Sequence, residues 1–360
     1  MRIALVVRPA SGGIRRHIEL LSSGLEREGF SPFICSPSSL ILRGVSTPRI
    51  PIEITHRWNP VTDFRAIREL APILKSRADV AHAHGVRGAM VGLPAALRAG
   101  IPAIVTLHNL LPAMSIPYKL AFRRLMNRAK KVIAVSEAVA VSARSNGVSA
   151  DKIIIIPNGI NPAPFQDAFD TNEIRARYAI SLEAPMVLAI GRLSYEKGFD
   201  LLLNASALVK KRFPNAAFAL AGSGPEFDRL QEAASRMNSD SHSFRLLGEV
   251  ANIAELMAAA DLVVIPSRQE GQGIVALEAM AAGKPIAAAR VGGLIETLDG
   301  GRCGILVSPG DATAIAEGII AILSNPDRAS LLARAGRDRL LFEYTIDKML
   351  FQIMKVYTTQ

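Results

Sequence analysis

An α/β chain with two doubly wound parallel sheets is predicted by three observations. Short apolar runs alternate with helical patterns from end to end, which is the signature of βα units. At 360 residues the chain exceeds one small core and suits two domains. A stretch at 157–166, PNGINPAPFQ, with three prolines and a glycine, interrupts the series near its middle.

Taken in order, strands are predicted near 2–7, 32–35, 79–82, 102–106, 132–135 and 153–156, and right-handed crossovers would wind them into one Rossmann-like layer. A second series follows near 186–190, 216–221, 243–247, 262–265, 285–289 and 304–307. The segment 36–60 reads as a long polar loop with several Pro and Ser residues and the chain's one tryptophan, Trp58, placed to touch an acceptor. The segment 342–357, FEYTIDKMLFQIMKVY, reads as a terminal helix. These readings divide the chain into 1–163, 164–341 and 342–360, the first two facing each other across a cleft with ligands at the carboxyl ends of their strands.

Composition narrows the classes. Hydrophobic residues make up 49% of the chain and the mean hydropathy is +0.25, as layered α/β cores require. Cys35 and Cys303 lie far apart without ligand-like spacing, which argues against a disulfide scaffold or a zinc site and fits a reducing cytoplasm. The first apolar run is too short for a signal peptide, and no stretch approaches the ~20 residues that cross a bilayer. Charge is uneven. Residues 1–165 hold 22 Lys and Arg against 9 Asp and Glu, a net +13, whereas residues 166–360 hold 20 against 23, a net −3. An anionic partner is therefore expected on the first half.

The richest segment is 261–297, ADLVVIPSRQEGQGIVALEAMAAGKPIAAARVGGLIET. Leu262 to Ile265 is a buried parallel strand ended by Pro266 and Ser267. Gly271 and Gly273 lead into a helical pattern, Ile274, Leu277, Glu278, Ala281, whose unpartnered first amides favour an anion. Glu270 and Glu278 beside that position would repel bare phosphate unless they face hydroxyls, as a sugar and a ribose flanking a diphosphate would supply.

The Glu270-x7-Glu278 spacing followed by AMAAGKPIAAARVGG resembles the donor-site signature of retaining glycosyltransferases of family four, which have the GT-B fold. AIGRLSYEKGFDLLLNA (189–205), LAGSGPEFDRL (220–230), IIPNGINPAPF (155–165) and RPASGGIRRHIELLSSGL (8–25) resemble further ordered segments of that family, so the likeness spans nearly the whole chain. It implies a nucleoside diphosphate sugar donor, of UDP or GDP type, and no cofactor. It also implies a terminal helix that returns to the first domain.

On this resemblance Arg192 and Lys197 stabilise the leaving diphosphate in place of a divalent ion, and the chain has no Asp-x-Asp motif. Glu278 accepts from ribose hydroxyls. Glu270 sits beside the transferred sugar, where a carboxylate holds hydroxyls, stabilises positive charge at the anomeric carbon, or attacks it, and sequence does not choose among these. Gly12 and Gly13 bring backbone amides near sugar or phosphate. His108, in TLHNL, matches a family histidine near the donor sugar, with Asn109 where an aspartate usually follows. Gln272 also departs from the family pattern, and Asn161 replaces a frequent aspartate. Base contacts are expected near Val250 and the turn Gly222 to Gly224, with Gly271, Gly273 and Ile274 completing the donor set.

His82 and His84, two apart on a strand end, point the same way, but no third ligand lies nearby, so packing is favoured over a metal. His17 is placed either near the cleft or in helix packing. YKLAFRRLMNRAKK (118–131) reads as an amphipathic basic helix. It is either an ordinary packed helix or a membrane-facing one whose Arg123, Arg124, Lys130 and Lys131 meet anionic lipid near a glycan or lipid-linked acceptor. The protein would then work in the cytoplasm, at the inner face of the membrane. Two alternatives are a GT-B sugar-nucleotide epimerase and a nucleic-acid-binding protein. The GRL…KG and Glu-x7-Glu combination opposes the first, and aromatics at only 5% oppose the second.

Overall fold

The computed structural model describes residues 1–9, 12–237 and 243–359, which form two compact α/β units. The first unit comprises Met1–Gly159 and Ile346–Gln360, and the second Ile160–Thr345.

In the first unit, β1 (Arg2–Val7), β2 (Ser31–Ser36), β3 (Arg49–Pro51), β4 (Val80–His84), β5 (Ala103–Leu107), β6 (Lys131–Ala134) and β7 (Ile153–Ile155) form one parallel sheet in the order 3-2-1-4-5-6-7. Along β1 the side chains alternate, Ala4 and Val6 joining one core and Ile3, Leu5 and Val7 the other. Both faces are covered, so the strands read as continuous apolar runs. The β3 strand lies inside the segment predicted as a loop. It is three residues long at a sheet edge and half exposed, too short to show a period-two pattern.

The C-terminal helix Ile346–Thr358 belongs to this unit, although it follows the second in sequence. Its buried Met349, Leu350, Ile353, Val356 and Tyr357 complete the core below helix Gly13–Arg27. Gly24 admits it, since a Cβ there would stand 2.4 Å from a Leu350 methyl. The helix begins later than the predicted 342, because helix Pro326–Glu343 ends first and Tyr344–Thr345 separate the two.

The second unit has β8 (Met186–Ile190), β9 (Ala217–Ala221), β10 (Phe244–Gly248), β11 (Leu262–Ile265), β12 (Ile286–Ala289) and β13 (Ile305–Val307). They pair in parallel in the order 10-9-8-11-12-13, the doubly wound Rossmann order. Its core lies on Val187, Ala189, Phe218, Leu220 and Val264, against helices Phe199–Lys210 and Ala312–Leu323. Each fully buried Leu, Ile or Phe contributes about 1.5–3 kcal/mol, which fixes the strand ends that carry the polar residues. Among the described residues no helix is long and apolar enough to cross a membrane.

Candidate active site

In both sheets the order reverses beside the first strand of the series, between β1 and β4 and between β8 and β11. Ligands of open parallel sheets bind at the carboxyl ends there. Arg192, Glu270 and the glycines predicted for the donor site emerge at the second of these places, and His84 and His108 at the first.

In the second unit, Ile190 is paired with Ala221, so Gly191 and Gly222 leave β8 and β9 side by side. Gly222 donates its N–H to the carbonyl of Gly248 at 2.7 Å, which ties the end of β10 and the nearby Val250 to the same edge. At Gly222, with φ +145°, a Cβ would fall 1.8 Å from the Gly191 carbonyl oxygen, so only glycine permits this approach. Gly224 makes a like approach to Leu193.

Lys197 closes a short 3-10 turn after β8, and its Nζ reaches Glu270 Oε2 at 2.5 Å. The Ser267 hydroxyl donates to the same oxygen at 3.2 Å. Lys197, predicted to face phosphate, thus also holds Glu270, and an arriving anion would share it with that carboxylate. Arg192 is exposed at the same strand end. Arg268 braces the loop from behind through a paired hydrogen bond to Asp200 at 2.8 and 2.7 Å. It also donates to the Tyr195 carbonyl at 2.9 Å and stacks over that ring at 4.1 Å. The guanidinium holds the Asp200 carboxyl below its ordinary range.

Gly271 and Gln272 are buried, and Gly273 caps helix Ile274–Ala281 at φ +92° without a side-chain cap, while Ala276 N–H donates to the Gly273 carbonyl at 2.9 Å. The Gln272 carbonyl is fixed by the Thr297 hydroxyl at 3.0 Å. Gly292 lies so near Glu270 that a Cβ would meet its carbonyl oxygen at 1.9 Å. Glu278 is buried at 6% exposure, so it is no solvated surface glutamate.

In the first unit, Gly12 caps helix Gly13–Arg27 at φ +62°, and Ser11 of the same motif lies outside the described residues. Register places His84 opposite both Val7 and Thr106, so His84, His108 and the start of this helix share one end of the sheet. His17, on the first turns of the helix, is buried, with Nδ1 2.8 Å from Asn158 Oδ1. His84 Nδ1 stands 3.3 Å from His108 Nε2. The absence of a third ligand near His84, expected from the sequence, is corrected here: His17, His84 and His108 present ring nitrogens within 4.8 Å of one another. Sequence spacing hid this because the three come from a helix and two strand ends. His82 takes the packing role, bonding Tyr357 Oη at 2.6 Å and Thr106 Oγ1 at 2.7 Å. Burial keeps all four rings neutral. It lowers His17 to about 4 and His82 to about 3, and holds His84 and His108 well below 6.5.

The basic helix predicted over 118–131 is shorter, Ile116–Met126. Phe122 and Met126 are buried as its apolar face, and Arg123 and Arg124 are exposed. Lys130 and Lys131 lie beyond it and serve the fold. Lys130 Nζ donates to the carbonyls of Tyr357 and Thr359 at the end of the C-terminal helix, and Lys131 opens β6 with Nζ 2.7 Å from the Asp151 carbonyl. The run of basic residues does not reveal the break, because the β6 strand starts inside it.

Residues 170–339 match the family model described as Glycosyl transferases group 1, and residues 11–164 match Glycosyltransferase Family 4. The chain belongs to glycosyltransferase family 4. Its family relatives include an uncharacterized glycosyltransferase of Methanocaldococcus jannaschii, 29% identical over 96% of this chain and 94% of that one. A GDP-mannose-dependent alpha-(1-6)-phosphatidylinositol monomannoside mannosyltransferase of Mycolicibacterium smegmatis is 33% identical over 68% and 67%. Among solved structures, Anabaena HepE in complex with UDP-glucose superposes with a TM-score of 0.88 at 22% identity, over 100% of this chain and 99% of that one. The fold is thus the GT-B fold of family 4 and the activity is glycosyl transfer.

Sequence reasoning missed Ser267, Arg268, Asp200 and Asn158 as parts of these sites. Only Asn158, in the NG segment, carried a signal.

Proposed function

We propose that this family 4 enzyme transfers a sugar from a UDP- or GDP-sugar, with retention and without a metal ion, to a cell-surface glycan or lipid-linked saccharide. The observation that carries the reading is the Lys197–Glu270 pair at the β8/β11 switch point, beside the N-terminus of helix Ile274–Ala281, which no side chain caps. Breaking the sugar–diphosphate bond moves the electron pair to the phosphate oxygen. Lys197, Arg192 and the helix amides offset that charge as it develops. The acceptor hydroxyl supplies the oxygen of the new bond, and its proton leaves with the departing phosphate. Glu270 orients the sugar, buried Glu278 takes the ribose hydroxyls, and the backbone near Gly222, Gly224 and Val250 borders the base. The M. smegmatis mannosyltransferase, named for GDP-mannose, and HepE, solved with UDP-glucose, support the two donor types considered.

A thermal-shift panel of nucleoside diphosphates and their sugar conjugates, with a chelator present, tests this on wild type and Lys197→Ala. A ligand at ~100 times its dissociation constant adds roughly 2.7 kcal/mol. One nucleotide stabilising wild type and not the variant names the base. No shift with any of them overturns the donor site.

The acceptor side is read from the first unit. Helix Ile116–Met126 exposes Ile116 and Leu120 beside Lys119, Arg123 and Arg124. Helix Gly85–Ala99 packs against both this helix and helix Pro60–Arg77, whose start exposes Val61 and Phe64 a few residues after exposed Trp58. Apolar side chains set among cations suit an anionic membrane at the inner face, where a lipid-linked acceptor would be met. Vesicle sedimentation tests this: equal binding to anionic and neutral lipid, or undiminished binding by Leu120→Asp, removes the membrane from the proposal.

A further inference from the structure

The buried histidines of the first unit hold unspent chemistry. Among the described residues, His17 Nε2 and His84 Nε2 are both buried without a hydrogen-bond partner. The other nitrogen of each ring is engaged, His17 Nδ1 with Asn158 and His84 Nδ1 with His108 Nε2. A neutral imidazole carries one proton. Placing it on Nε2 of His84 would bury an N–H with no acceptor, a cost of roughly 1–3 kcal/mol. The proton therefore sits on Nδ1, which donates to His108 Nε2 at 3.3 Å. Accepting at Nε2, His108 must carry its own proton on Nδ1.

We infer that His84 is a positioning residue, holding His108 in the Nδ1–H tautomer so that His108 meets the sugar nucleotide as a neutral hydrogen-bond donor and not as a base. This rests on the reading of His108 as a donor-site residue. A ring of that kind supports a phosphate or sugar oxygen as negative charge gathers on it, with no proton transfer of its own. Its neutrality comes from the site. Desolvation by burial dominates, and the neighbouring His17, His82 and the positive charge of Arg8 push the same way. His17 packs edge-on against His108, with ring centroids 4.7 Å apart, and limits its rotation. His17 is in turn fixed by Asn158 from the NG segment. The HAH and NG motifs would thus be one device, a set of neutral dipoles locked behind a single N–H.

The test is ring-¹⁵N histidine labelling with long-range ¹H–¹⁵N spectra at neutral pH and no substrate. Wild type is expected to show His108 protonated at Nδ1. His84→Leu should release it to the Nε2–H form or a mixture. His84→Asn, whose amide nitrogen lies near the lost Nδ1, should restore it. In parallel, acceptor-free hydrolysis of UDP-glucose or GDP-mannose should fall about tenfold in turnover in His84→Leu, less than the 10²–10³ for deleting a donor outright, and recover in His84→Asn. His108 protonated at Nε2 in wild type would overturn the inference. So would an unchanged His108 tautomer in His84→Leu, or a stoichiometric metal bound by His17, His84 and His108 in the purified protein. The spectra need no donor, so a wrong donor assignment would leave the tautomer result standing.

Discussion

In and after the carboxyl ends of the first sheet four imidazoles are buried, His17, His82, His84 and His108, beside a buried Arg87–Asp63 pair. At the same end of the second the polar groups are an ammonium, guanidinium groups and carboxylates that remain partly in water. The topology is shared, so the difference comes from what surrounds the switch point. In the first unit the C-terminal helix and helix Gly13–Arg27 pack on one face of the sheet, and desolvation strips the charge from the buried His17, His82, His84 and His108. In the second, the loops after β8 and β11 leave Lys197 partly exposed and Arg192 exposed to solvent. One fold thus offers a neutral, rigid hydrogen-bonding surface on one unit and a charged, adjustable one on the other.

The sharpest way to break the comparison is the buried ion pair of the first unit. Arg87 and Asp63 meet at 2.6 and 2.9 Å with both side chains nearly inaccessible, and Arg87 also reaches the Thr55 carbonyl at 3.1 Å. Asp63→Asn leaves a buried cation unpaired. It should destabilise the first unit by about 3–5 kcal/mol, seen by hydrogen exchange, with the second unit unchanged.

Acid should separate the units next. His17 and His82 have folded values near 4 and 3 against 6.5, so the unfolded chain binds protons first. Stability from these rings is complete above pH 6.5 and is lost as pH falls towards 4, at roughly 1.4 kcal/mol per pKa unit per ring. The described part of the second unit contains no histidine, so hydrogen exchange at pH 7.5 and 5 should show protection falling in the first unit alone.

Smaller effects are expected in the second unit. Gly222→Ala drives a methyl into the Gly191 carbonyl and should cost about 1–3 kcal/mol while displacing the β8 and β9 ends. Weakened nucleotide binding with little loss of α-helical circular dichroism would report it. Asp200→Asn breaks a pair about a quarter exposed and should cost ~1 kcal/mol or less, an effect that shrinks with added salt in denaturant titrations.

Much of the fold was legible because parallel strands buried on both faces announce themselves as short apolar runs. Every strand predicted from such a run is present, with ends shifted by two residues or fewer. The exception, β3, pairs with one neighbour only and has no apolar run to announce it. The helix predicted over 118–131 ran too far for a related reason: basic residues continue past Met126 although the backbone turns there. In the candidate site, Glu270, Gly273 and Glu278 could be placed together because strand, turn and helix are adjacent in the chain. Ser267 and Arg268 sit in the same stretch, yet nothing in their spacing marks a hydroxyl on Glu270 or a brace on Asp200.

The sequence by itself determined the two sheets, the family and the local donor segment, since hydrophobic period and motif spacing are properties of neighbouring residues. Only the tertiary structure decided that Lys197 pairs with Glu270, that His17 meets Asn158 and His108, and that the last helix completes the first core. Those partners lie tens to hundreds of positions apart. They meet because the strand order brings separate carboxyl ends to one place, and no local pattern encodes which of them will face each other.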